Sequence, residues 1–199
     1  MSTKKTLPPS YFETKYQADI DPWRFRTSSY EQAKYKATVA ALTKPKYQNG
    51  LEVGCAIGIL SASLAQRCDK LIALDASITA IAEASQQNLP NVRFETAFLP
   101  DDFPISAFDL IVLSEVLYYF SEDDLRRLAE KCLEALKGGG EMILCHWLGE
   151  TDYPHTGHQA SDLFAKAVAK RRPTHAVLHE DIYLLERLSF SSSVANDEE

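Results

Sequence analysis

Residues 51–58, LEVGCAIG, run from an apolar stretch straight into a turn of small residues, with Glu52 just ahead of the first glycine. The next apolar stretch, KLIALDAS, closes on a second acid, Asp75. Small residues let a backbone approach a ligand closely, and a helix that follows such a turn directs its N-terminus at that ligand. A carboxylate ending the neighbouring strand can accept hydrogen bonds from both hydroxyls of a ribose; it can also serve simply as an acid at a helix N-terminus. Glycines after one strand and an acid after the next thus point to a nucleotide-binding α/β domain. The spacing then narrows the nucleotide. A pyrophosphate asks for G-x-G-x-x-G, whereas Ala56 replaces the second glycine here and Ile59 stands where the third should be. An adenosyl ligand without phosphates fits this turn better than a dinucleotide does.

Such a turn needs a sheet to hold it, and the hydrophobic pattern supplies one. Strands are expected at Leu51–Val53, Leu71–Leu74, Val92–Phe94, Phe108–Leu113 and Glu141–Cys145, the fourth apolar on both faces as a central parallel strand should be. Helices are expected between them. One opens at Ser28, which stands at capping-box spacing from Glu31, and ends at Pro45; another covers Ile59–Arg67. A third is capped by Ser77 and runs through Asn88. A fourth opens at Ser121 and stops before Gly138-Gly139-Gly140, and a fifth lies near Gly157–Arg171. Two short strands at Ala176–Leu178 and Tyr183–Leu188, separated by a polar turn, read as a hairpin, so one of them runs antiparallel to the rest. The expected fold is a doubly wound, mostly parallel seven-stranded α/β sheet with a reversed C-terminal strand. One domain spans 11–190, with a helical cap over 11–45; 1–10 and 191–199 read as flexible tails.

Bulk properties restrict the partners. At 199 residues, 45% hydrophobic and 25% charged, the chain can bury one substantial core. A net charge of −7 argues against a nucleic-acid duplex as partner. The N-terminus lacks the apolar core of a secretory signal, and no apolar run is long enough for a bilayer, so no membrane is expected. Cys55, Cys68, Cys132 and Cys145 are scattered without a CxxC pair and read as reduced thiols in a cytoplasmic protein.

Taken together, the E-x-G-x-x-x-G turn, Asp75 and the terminal hairpin resemble class I S-adenosylmethionine-dependent methyltransferases, a Rossmann-like fold whose usual mark is the reversed seventh strand. The stretches YFETKYQADIDPWRFRTSSYEQAKY, LEVGCAIG and FDLIVLSEVLYYF resemble the nodulation protein S (NodS) family. The likeness covers most of 11–188 and weakens after Cys145. It implies S-adenosyl-L-methionine as cofactor and, as acceptor, the free amine of a small molecule or oligosaccharide, an amino sugar above all. An O-methyltransferase acting on a small molecule is the alternative. An NAD-dependent oxidoreductase and a silent nucleotide-binding protein are rivals from other classes.

The resemblance distributes roles. Gly54, Cys55, Ala56, Gly58, Asp75, Ala76, Ala97, Phe98, Ser114, Glu115 and Val116 are expected around the cofactor. Glu52 organises the glycine turn through backbone N–H groups, beside the cofactor. Lys34 stands where NodS-type proteins carry an arginine for the methionyl carboxylate, as a point charge instead of a fork. Trp23 closes over the cofactor or anchors the N-terminal segment. After the third strand, where many such enzymes hold the adenine amino group with an acid, this chain reads Thr96-Ala97-Phe98-Leu99; backbone groups of Ala97 and Phe98 are left to read the base. An amine must lose a proton before it attacks, and Glu115 or His146 can take it. Tyr118, Tyr119, Trp147, Asp152 and Tyr153 are expected to line the acceptor pocket, in a polar, aromatic loop that also carries His155 and His158. The histidine spacing fits no zinc pattern, so no metal is expected.

Overall fold

The computed structural model describes residues 4–192. One seven-stranded sheet runs in the order β3-β2-β1-β4-β5-β7-β6. Its strands are β1 (Tyr47–Val53), β2 (Cys68–Asp75), β3 (Val92–Thr96), β4 (Phe108–Ser114), β5 (Leu136–Trp147), β6 (Thr174–Glu180) and β7 (Tyr183–Ser189). Neighbours among β1–β5 pair parallel, and β7 pairs antiparallel with both β5 and β6, so the reversed strand is β7. This is the doubly wound fold the pattern predicts. The chain reverses its winding between β1 and β4, and the carboxyl ends of those two strands define the crevice where such sheets bind ligands.

Side chains alternate across the sheet, which gives two cores. Leu51, Val53, Ile111, Leu113, Met142 and Leu144 face α5 (Glu122–Ala135) and α6 (Gly157–Val168). Leu110, Val112, Ile143 and Cys145 face the other layer, where Ala41 and Leu42 after α2 (Ser29–Ala40) and Leu60 and Leu64 of α3 (Ile59–Ala65) complete the packing. The caps act as the sequence suggests: the Ser28, Ser77 and Ser121 side chains accept from the backbone N–H of Glu31, Ala80 and Asp124, opening α2, α4 (Ile78–Ser85) and α5.

Three features differ from the sequence expectation. Gly138–Gly140 lie inside β5 and do not precede it: Leu136 already pairs with Phe108, and the glycines bulge out before Glu141 rejoins the ladder opposite Leu110. A helix, α1 (Pro9–Ala18), precedes the first one expected. It has little amphipathic pattern of its own and is fixed by Tyr16, which packs with Ile57 and Ala80. Lys4–Ser10, expected as part of a tail, is docked from Lys4 on. The Leu7 N–H donates to the Tyr119 carbonyl at 2.9 Å, the Thr6 hydroxyl donates to Asp124 at 2.5 Å, and Lys4 reaches the Tyr153 carbonyl at 2.8 Å. The expected C-terminal tail from residue 193 onward lies outside the described residues. No helix among the described residues is long and apolar enough to cross a membrane.

Candidate active site

The glycine turn is built to lean on β2. The N–H groups of Gly54 and Cys55 both donate to the Leu74 carbonyl, at 2.8 and 2.9 Å, which folds the chain back over the end of that strand. Gly54 holds a φ of +79° and Ala56 one of +50°. Asp75 locks the arrangement: its carboxylate accepts from the Ala56 N–H and the Ser77 N–H, both at 2.9 Å. Burial pushes its pKa up to about 6, and the backbone donors of Ser77, Ala56 and Ala76 hold that rise back.

Between this turn and the end of β4 lies a cavity of about 330 Å³. Gly54, Ala56, Asp75, Ala76, Ala97, Phe98, Ser114, Glu115, Val116, Trp23 and Lys34 line it together, as do Tyr118, Tyr119, Trp147 and Tyr153. Small residues are required at its base, since a Cβ on Gly54 would come within 3.2 Å of the Val116 Cβ.

Five expected residues do not reach the cavity. Glu52 alternates to the other face of β1, where its carboxylate accepts from the Ser61 hydroxyl of α3 at 2.5 Å; burial raises its pKa to about 7. It thus supports α3 and accepts nothing from the turn's N–H groups. Cys55 is buried beside the Ala56 carbonyl, its thiol pushed far up by burial. Gly58 is the left-handed N-cap of α3, and a Cβ there would meet Gln87 Nε2 at 2.5 Å and Ala84 Cβ at 3.1 Å, so helix packing fixes this glycine. Asp152 is exposed; only its carbonyl is engaged, by Lys4 at 3.4 Å. His146 is 0% exposed, and its Nε2 accepts the Leu117 N–H at 3.2 Å. Burial drives its pKa down to about 4. A neutral ring with its acceptor nitrogen already engaged takes no proton from a substrate, which removes His146 as a base. His155 and His158 also lie off the cavity, and among the described residues no group of His, Cys, Asp or Glu side chains is placed to hold a metal ion.

The opposite wall carries a buried charge cluster. Glu115, at a φ of +55°, accepts from Lys34 Nζ at 2.5 Å, from the Trp147 N–H at 3.0 Å and from the Tyr118 hydroxyl. Lys34 is 1% exposed and also contacts Glu31 at 3.0 Å. Burial works against its positive charge, but Glu115 and Glu31 outweigh burial and the ammonium pKa rises. For Glu31 the balance reverses: burial raises its pKa despite Lys34. Two carboxylates thus share one ammonium.

Above them stands an aromatic wall. Tyr118 stacks on Tyr153 at 5.3 Å between ring centroids, and Tyr119 meets Tyr153 edge-on at 4.7 Å and Phe12 at 4.9 Å. Phe12, Thr6, Leu7, Tyr16, Phe25, Tyr30 and Glu31 line the cavity although the sequence reading gave them no role. The one available signal was local: Glu31 lies three residues before Lys34, and Phe12 and Tyr16 share a helix face. Glu13 then ties α1 to the start of α4, accepting from the Ser77 hydroxyl at 2.6 Å and the Thr79 hydroxyl at 2.5 Å, which lowers its pKa to about 2.

The nodulation protein S (NodS) family profile matches residues 11–150. The chain belongs to the nodulation protein S family. The nodulation protein S of Sinorhizobium fredii is 28% identical over 182 residues, 89% of this chain and 80% of that protein. Across four such relatives the chain spans 50% to 80% of their length. The crystal structure of a putative methyltransferase from Pseudomonas syringae is 36% identical, with a TM-score of 0.68 over 81% of this chain and 99% of that one. The N-methyltransferase NodS from Bradyrhizobium japonicum WM9, solved with S-adenosyl-L-homocysteine, shares the fold at a TM-score of 0.76 and 21% identity, covering 92% of this chain and 99% of that one.

Proposed function

We propose that this chain N-methylates a small amine, an amino sugar or a related glycan-like amine being the class its acceptor wall suits. The chain is an S-adenosylmethionine-dependent methyltransferase, as its membership of the nodulation protein S family and the methyltransferases it resembles indicate. Its residues fit that cofactor. The Asp75 carboxylate stands at the cavity edge beside the small turn and has the acceptor capacity that a ribose diol requires. Lys34 is the cation on the wall near Glu115, where an amino-acid carboxylate would need one. Trp23, Phe25 and Tyr16 form an aromatic group facing Ala56.

Bound, S-adenosylmethionine supplies an electrophilic methyl group on a sulfonium. The leaving thioether is neutral and needs no acid, so the chain's task is alignment and removal of one proton. The observation that carries the amine reading is the charge cluster: Glu31 and Glu115 against a single Lys34 leave the wall with an excess carboxylate, which favours a cationic acceptor. Glu115 is the proton acceptor. The ammonium passes its proton to the Tyr118 oxygen as the Tyr118 hydroxyl proton moves to Glu115 Oε2, leaving an amine lone pair free to attack. The aromatic faces of Tyr118, Tyr119 and Tyr153 offer a platform for the apolar face of a sugar ring.

The test is transfer of labelled methyl from S-adenosylmethionine to a panel of amino sugars, simple amines, and hydroxyl and carboxyl acceptors, with the product bond assigned by NMR. Transfer to nitrogen of an amino sugar is expected. Transfer confined to oxygen or carbon would refute the amine reading, and cofactor binding without any turnover would leave a silent binding protein in its place.

A further inference from the structure

The third strand ends without the acid that would hold an adenine amino group, yet the structure brings a carboxylate to that place from further along the chain. Asp102 Oδ2 accepts from the Phe98 N–H at 2.9 Å. The loop between them does not need this bond to close, because the Asp102 N–H already donates to the Phe98 carbonyl at 3.1 Å. Asp102 is exposed, and its Oδ1 has no protein hydrogen-bond partner among the described residues. Ala97, Phe98 and Leu99 line the cavity, and the Ala97 N–H is tied to the Asp75 carbonyl at 2.9 Å, which fixes this segment beside the ribose-binding acid.

We propose that Asp102 is the residue that selects adenine, accepting a hydrogen bond from the 6-amino group while the Phe98 N–H donates to ring nitrogen N1. The edge of adenine presents an acceptor, N1, next to a donor, the amino group. The Phe98 N–H and the Asp102 carboxylate form the complementary donor and acceptor side by side. Without the base they satisfy each other; with it, the carboxylate swings from the N–H to the amino group. Asp102 itself is not among the residues that line the cavity; its carboxylate stands one hydrogen bond behind the Phe98 N–H, and a base on a ribose held at Asp75 would meet the pair at residues 97–99. The assignment rests on the S-adenosylmethionine reading above and adds to it the residue that recognises the base.

Calorimetry on the full chain separates the two. The ligands are S-adenosylhomocysteine and its deamino analogue, in which hydrogen replaces the 6-amino group and N1 is kept. The parent protein is expected to bind S-adenosylhomocysteine at least about 10-fold more tightly, as a hydrogen bond to a charged acceptor implies. In Asp102→Ala the gap should close to within about 3-fold, because only the lost partner of the amino group distinguishes the ligands. Asp102→Asn keeps a neutral acceptor and should narrow the gap by about 2-fold or more. A gap of 10-fold or more surviving in Asp102→Ala, or unchanged in Asp102→Asn, would overturn the assignment, as would a parent protein indifferent to the amino group. Failure of the parent protein to bind either ligand would instead strike the cofactor reading itself.

Discussion

Replacing Lys34 by methionine tests the charge cluster most directly, because the substitution keeps the volume and removes only the charge. Lys34 is 1% exposed and contacts Glu31 at 3.0 Å and Glu115 at 2.5 Å. Removing one partner of a buried ion pair costs about 3–5 kcal/mol, since it strands the opposite charge away from water. Glu115 keeps the Trp147 N–H and the Tyr118 hydroxyl, so Glu31 bears most of the loss. For a chain of this size each kcal/mol lowers Tm by about 2–4 °C, which puts the expected drop at about 6–20 °C near pH 8. The deficit depends on pH with a definite sign. Burial already raises the Glu31 pKa, and loss of the ammonium raises it further. A carboxyl whose folded pKa lies above its unfolded value of about 4.3 gives its full stability below that value and loses it as the pH climbs through the folded pKa. The variant should therefore approach the parent protein near pH 5 and fall behind toward pH 8. Urea melts across that range measure the difference, and adding Glu31→Gln to Lys34→Met should restore more than half of it. A deficit under about 1 kcal/mol at pH 8, or one equally large at pH 5, would refute a buried cluster held by Lys34.

Other outcomes follow from the same geometry. Asp75→Ala should weaken S-adenosylhomocysteine binding by about 100-fold in calorimetry, as two hydrogen bonds to a charged acceptor are lost; because its carboxyl titrates near pH 6 in the free protein, affinity for the parent should also fall about 10-fold between pH 7.5 and pH 5, as protonation removes an acceptor. His146→Gln should leave the shape of the pH profile of kcat/KM unchanged between about pH 5.5 and 8, since the ring titrates near 4 and lies off the cavity; a lost limb in that range would return His146 to the mechanism. Gly54→Ala should cost about 1–3 kcal/mol in chemical denaturation, because its φ of +79° and the Val116 Cβ at 3.2 Å leave no strain-free place for a methyl group.

The sequence was informative where chemistry is local. Short apolar runs gave the strands, serine caps gave the starts of α2, α4 and α5, and the hairpin expected from Ala176–Leu178 and Tyr183–Leu188 announced the reversed strand. The same locality explains the errors. Gly138–Gly140 read as the close of a helix, with the strand starting only after them, because glycine favours a helix end, yet the Leu136–Phe108 pairing carries β5 through them. Glu52 and Gly58 belong by spacing to the turn, but strand alternation sends the one to Ser61 and the close approach of α4 claims the other.

What the sequence alone determined is the frame: a doubly wound sheet, its crevice between β1 and β4, and a carboxylate at position 75 beside a turn of small residues. These follow from periods of two and 3.6 residues and from backbone angles, which neighbours in the chain set. What only the tertiary structure decided is which polar groups face the cavity and which are already engaged. His146 and Glu115 both end at the same rim, yet one is sealed against Leu117 while the other stands on the wall beside Lys34 from a helix 81 positions away in the chain. In the same way α1 brings Phe12 and Tyr16 to the cavity wall through contacts that no local pattern encodes. A side chain's burial, and with it its charge and its free lone pairs, is set by segments distant in sequence, so the chemistry of the site exists only once the chain has folded around it.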